Sequence, residues 1–162
     1  MWFTRHKTAD ALTPETAQEL VTAERVRDRL DAVARARFDD EWRAVLAAVR
    51  RSYDLDHAKA LERSWWLVSG GDRRTAQLAE QQARTLSSAR SATYGRFHAA
   101  AERNGPAVYA QISEADRADF DREWGEACDV ARYTFDLVPL EGLITKYWAH
   151  TELRHHDASP SV

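Results

Sequence analysis

The chain has 162 residues, 44% apolar and 30% charged, with a net charge of −3; that is enough for one ordinary domain with a real core, and it excludes a disordered or fibrous chain. A net-acidic chain is a poor generic nucleic-acid binder, and the single cysteine, Cys128, excludes an internal disulfide and a cysteine-built zinc cage. No segment reaches membrane-spanning length and the start, Met1-Trp2-Phe3, has none of the features of a signal peptide, so a cytoplasmic setting away from membranes is expected.

Thr13-Pro14-Glu15 opens a helix that the apolar spacing carries through Leu20, Ala23, Val26 and Leu30. Asp31 is placed to cap the next, in which Phe38, Trp42, Val45, Val49 and Tyr53 form one packing stripe. That helix should stop near Asp54-Leu55, followed by a short turn and a helix bearing Leu61, Trp65 and Val68. Gly70-Gly71-Asp72 breaks and recaps the chain. From Asp72 to Arg103 there is no proline and one glycine, Gly95, which predicts one long or one bent middle helix with a thin stripe of Leu78, Leu86, Ala89, Thr93 and Phe97, Ser87-Ser88 being where a kink would fall. Asn104-Gly105-Pro106 is expected to end it.

Ser113, followed by Glu114, Ala115 and Asp116, resembles a capping box, and Phe120, Trp124, Ala127, Ala131 and Phe135 repeat the earlier stripe. Asp136-Leu137 marks the next turn, Pro139 sits like a first-turn residue, and Leu140, Leu143, Ile144 and Tyr147 line a final helix. The tail from His155 onward is expected to be loose.

These two halves are one pattern written twice. Val26 to Trp66 aligns without gaps on Val108 to Trp148, an offset of 82, with 12 of 41 positions identical, among them Phe38/Phe120, Trp42/Trp124, Asp54/Asp136 and Trp66/Trp148. The fold class is therefore all-α: a helical bundle of two related αα-hairpins joined by a long middle helix. The expected divisions are an N-terminal segment over 1–25, repeat 1 over 26–69, a linking basic helix over 70–105, repeat 2 over 106–151 and a flexible tail over 152–162.

Residues Ala107 to Ala149, carrying Phe120, Trp124, Asp136, Leu137, Pro139 and Trp148, resemble an uncharacterised domain family common in actinobacterial proteins. The first copy departs from the pattern with His57 in place of the proline. The resemblance implies a helical, partner-binding role, antitoxin-like in some members, and brings no catalytic residues with it.

Several clusters invite chemistry and read better as structure. His150, His155 and His156 with Glu152 and Asp157 lack the one-face spacing of metal ligands, so no metal and no cofactor is expected. Asp39 and Glu41, like Asp121 and Glu123, point to different sides of a helix and suit its dipole better than acid–base work. Arg50 and Arg132 lie near helix C-termini with an aspartate four residues on, and Cys128 reads as a small buried hydrophobe. No catalytic residue is assigned, and the chain is not expected to be an enzyme.

The adjacent aromatics Trp65-Trp66 and Tyr147-Trp148 are the most informative feature, because successive helical residues diverge by about 100° and one hairpin stripe cannot cover both rings. Either the two hairpins and the middle helix bury them mutually, or they meet a partner protein or a second copy of the chain. The expected function is a non-catalytic protein–protein interaction module, antitoxin-like or regulatory. The alternative is a DNA-binding regulator using Arg73, Arg74, Arg84 and Arg90, with Arg96 and Arg103, since residues 71–105 carry six basic groups against three acidic.

Overall fold

The computed structural model describes residues 12–94 and 104–157, with the side chains of Glu15, 85–94 and 152–157 outside that description. Among the described residues the only regular structure is helical: α1 (Pro14–Leu20), α2 (Ala23–Asp28), α3 (Ala32–Ser52), α4 (Asp56–Val68), α5 (Arg73–Tyr94), α6 (Gly105–Gln111), α7 (Glu114–Thr134) and α8 (Val138–Asp157). The all-α class is as expected. Phe97, Gly95, Arg96, Arg103 and the end of the tail lie outside the described residues.

The helix starts follow from side-chain oxygens that meet otherwise unpaired N–H groups. Asp31 accepts from Ala34 N at 2.8 Å, Asp72 from Thr75 N at 2.7 Å and Ser113 from Asp116 N at 3.3 Å. Two starts differ from expectation. The N-terminal helix does not run on to Leu30, because the Thr22 hydroxyl caps a new helix by accepting from Arg25 N. Asn104 opens α6, accepting from Ala107 N at 2.8 Å, while residues 95–103, on which the expected end of the middle helix falls, lie outside the described residues. These residues stand at the repeat offset, so the likeness of the two copies reaches back to their caps.

α3 and α7 stop at Ser52 and Thr134, slightly before the expected turns, because Tyr53 (φ 61°) and Phe135 (φ 56°) take the left-handed conformation and return their N–H to Val49 and Ala131. Asp54 and Asp136 then accept from Asp56 N and Val138 N, each at 2.9 Å, as the turn reading requires. α8 continues to Asp157, past the point where a loose tail was expected.

α3 packs on α4, α7 on α8, and α3 on α7, which joins the two copies through their aromatic stripes. The junction is reciprocal. Trp42 donates its indole N–H to the Ala131 carbonyl at 3.0 Å, and Trp124 donates to the Val49 carbonyl at 3.2 Å; both tryptophans and both carbonyls are repeat equivalents. The left-handed caps also cross over. Phe135 stacks on Phe38 and Trp42 of the first copy, while Tyr53 packs on Phe120 and Trp124 of the second. A left-handed aromatic residue costs about 1 kcal/mol or more, offset by burial of its ring in the other copy. α1 lies along α5, which also meets α4.

Candidate functional site

Lys59 on α4 and Glu141 on α8 occupy equivalent positions of the two copies and bond to each other at 2.5 Å, so this ion pair stands where the pseudo-twofold axis leaves the bundle. A cleft opens on each side of it. The larger, about 730 Å³, lies between the α3–α4 turn at Asp54–His57 and the start of α6 at Asn104-Gly105. The smaller, about 380 Å³, lies between the α7–α8 turn at Phe135–Val138 and the start of α2 at Val21-Thr22. Each turn and each helix start is the repeat equivalent of the other, so the clefts are pseudo-symmetric twins. Gln18 of α1 and Ala83 of α5 line both.

The twins differ in chemistry at several columns of their walls, as where Asp56 lines the larger cleft and Val138 the smaller. Glu62 replaces the apolar Ile144, and Arg63 replaces Thr145. Glu62 is buried at 8% exposure and lines the smaller cleft; its Oε1 accepts the Ala23 N–H at 3.0 Å, and Oε2 has no hydrogen bond among the described residues. Burial pushes the carboxyl from its ordinary 4.5 up to about 8, with Glu141 adding to the rise and the Ala23 N–H, Lys59 and Arg63 opposing it. Arg63 lines both clefts and makes no hydrogen bond or ion pair among the described residues. The smaller cleft thus sets a carboxyl with a raised pKa beside a guanidinium that has no ion pair among the described residues.

The residues singled out from sequence fall elsewhere. Trp65, Trp66, Tyr147 and Trp148 are all at 4–6% exposure, inside the core rather than on a face open to a partner. The diverging rings find different covers. Trp65 meets Phe38 edge-on and donates to Glu41 at 2.7 Å; Trp66 lies under Arg29 and donates to the Asp72 carbonyl. Tyr147 stands perpendicular to Phe120, 4.9 Å away.

Arg73 and Arg74 are exposed on the first turn of α5, whereas Arg84 pairs with Glu80 at the rim of the larger cleft; the Arg90 side chain, with Arg96 and Arg103, lies outside the described residues. The recurring acids are structural partners. Asp39 binds Arg27, Asp121 accepts from Tyr53, and Glu123 binds Lys146. Arg50 reaches across to Asp129 of the other copy rather than to Asp54. Cys128 is buried, and burial raises its thiol to about 11. His150 sets its ring against Tyr147, the side chains of His155 and His156 lie outside the described residues, and no group of metal-ligating side chains occurs among those described. No described helix is long and apolar enough to cross a membrane.

Sequence reading passed over Glu62, Arg63 and Lys59. The signal that finds them is the inverse of the one that found the repeat: columns where one copy breaks the other's apolar or charge character, as Glu62 does against Ile144.

The model of a family described as Family of unknown function (DUF6247) matches the chain twice, over residues 14–99 and 96–160. The two matches begin 82 residues apart, the offset of the internal repeat. Neither the curated proteins nor the solved structures provide a match.

Proposed function

The chain belongs to that family, as two tandem copies of an uncharacterised domain, and from this premise we propose that it is a non-catalytic helical protein–protein interaction module, antitoxin-like or regulatory, which receives a segment of a partner protein in the twin clefts. The observation that carries this reading is the division of surfaces. The aromatic stripes of α3 and α7 are buried between the copies, and the clefts left at their junction carry charged side chains on a partly apolar wall, among them Arg63, which has no ion pair among the described residues. A cleft of this size suits a few anchoring side chains of a partner, with the surrounding helix ends acting as a polar rim.

The test is capture from the native cell with the wild-type chain and with Arg63→Glu, each shown by circular dichroism to be folded. One identified protein retained by the wild type and released by the variant is the expected result. Binding indifferent to the variant, or none at all, refutes it.

A DNA-binding reading keeps one observation in its favour, the exposed Arg73 and Arg74. It requires a salt-steep shift of duplex DNA that Arg73→Ala with Arg74→Ala removes; no shift at low salt excludes it.

A further inference from the structure

We propose that the smaller cleft is a binding site for a singly charged carboxylate on a short aliphatic stem, held by the Arg63 guanidinium and the Glu62 carboxyl group. The proposal rests on reading the clefts as a binding surface and names the chemistry recognised there.

Three observations converge on an anion. Arg63 is a cation at the cleft wall with no ion pair among the described residues, and a guanidinium offers two parallel donors matched to a carboxylate. Glu62 uses one oxygen on the Ala23 N–H and leaves Oε2 without a hydrogen bond among the described residues, in a site whose burial favours the protonated carboxyl at neutral pH. A protonated carboxyl there is a donor, and the group it lacks is an acceptor. The fold does not demand Arg63, because Thr145 fills its position in the other copy, whereas Glu62, opposite Ile144, also holds the Ala23 N–H at the start of α2.

The rest of the wall limits the ligand. Glu19 of α1, Asp136 in the α7–α8 turn and Glu141 of α8 also line this cleft, against Lys59 and Arg63 of α4, while α5 contributes only uncharged groups such as Gln82. These three carboxylates repel any anion, and a dianion such as phosphate about twice as strongly as a monoanion, so a monoanion seated on the two donors is the one the wall admits. Val21, Ala79, Leu137 and Val138 supply apolar wall for an aliphatic stem. Two sources carry this chemistry: the side chain of a glutamate in the partner protein, or a free small carboxylate.

Backbone-amide NMR titration of the full chain with butyrate, and separately with acetyl-glutamate methylamide, tests it. Saturable shifts at Thr22, Ala23 and Arg63 are expected from at least one of the two. The peptide-like probe binding as well as butyrate points to a partner's glutamate, and butyrate alone to a free carboxylate. Arg63→Thr and Glu62→Ile, the residues of the other copy, each weaken binding by at least about tenfold. Glu62→Gln, which still donates to the ligand and accepts from Ala23, stays within about threefold of wild type. Affinity of the wild type falls above the pH at which Glu62 ionises, about 8, and that fall is absent in Glu62→Gln. Absence of saturable shifts with both probes, undiminished binding in Arg63→Thr, or tighter binding of butylammonium or methylphosphonate overturns the proposal. Carboxylate binding that persists when no partner protein is captured leaves this site standing and removes the interaction reading alone.

Discussion

Replacing Glu62 by glutamine isolates the one carboxyl that is buried among the described residues and whose ionisation the fold resists. In the unfolded chain this group ionises at its ordinary 4.5, and in the folded chain at about 8. Between those values the folded state holds a proton that the unfolded state has lost, so stability falls as pH rises. At 1.36 kcal/mol per pH unit the loss from this group is about 3 kcal/mol at pH 7 and about 5 kcal/mol above pH 9, with none below pH 4. Glutamine keeps the shape and the acceptor for the Ala23 N–H at 3.0 Å and carries no charge at any pH. Urea unfolding followed by tryptophan fluorescence at a series of pH values should therefore give curves for wild type and Glu62→Gln that nearly coincide at pH 5 and diverge steadily, with the variant the more stable by about 5 kcal/mol at pH 9. Parallel stability profiles from pH 5 to 9 would falsify the assignment of a buried, proton-retaining carboxyl at this position.

Glycine substitutions should split by what their Cβ meets. Gly105→Ala places a methyl 1.9 Å from the Tyr53 carbonyl oxygen and is expected to lower stability by more than about 2 kcal/mol, whereas Gly142→Ala enters open space in α8 and should add about 0.5–1 kcal/mol, both read by thermal denaturation. Cys128, buried and with its thiol raised to about 11, should react with iodoacetamide at pH 8 more than about a hundredfold slower than a free thiol, and at the free rate in denaturant. Lys59→Glu sets two carboxylates against each other across the axis and should cost about 1 kcal/mol; adding Glu141→Lys restores the pair with its polarity reversed, and a chemical-denaturation cycle that shows no recovery refutes the pairing.

Much of the fold is legible because it is local or repeated. The stripe through Phe38, Trp42 and Val49 obeys helical spacing, and Asp31, Asp72 and Ser113 announce their helices through the hydrogen bonds they make. The break at Thr22 was hidden because an apolar series continues across it from Leu20 to Ala23 and Val26, and the cap is the only signal against it. The fate of Trp65-Trp66 turned on tertiary partners. Arg29 and the Asp72 carbonyl cover Trp66, and no pattern within α4 specifies either. The candidate site was the least legible part, since Lys59, Glu62 and Arg63 look like the ordinary polar face of a helix until Glu141, Ile144 and Thr145 are set opposite them.

Tandem duplication changes what such an interface can hold. Two identical chains meeting on a true twofold axis must place the same residue on both sides, lysine against lysine or glutamate against glutamate, at a position like 59 and 141. Fusion into one chain frees each column to diverge, and here the divergence is complementary: Lys59 meets Glu141, and Tyr53, whose hydroxyl donates to Asp121, stands opposite Phe135, where Arg27 binds Asp39 and lies over the ring instead. The packing that needs symmetry, Trp42 to Ala131 and Trp124 to Val49, has stayed symmetric. The copies diverge at the clefts as well, where Glu62 lines the smaller one and the apolar Ile144 lines the larger, while Arg63 reaches both.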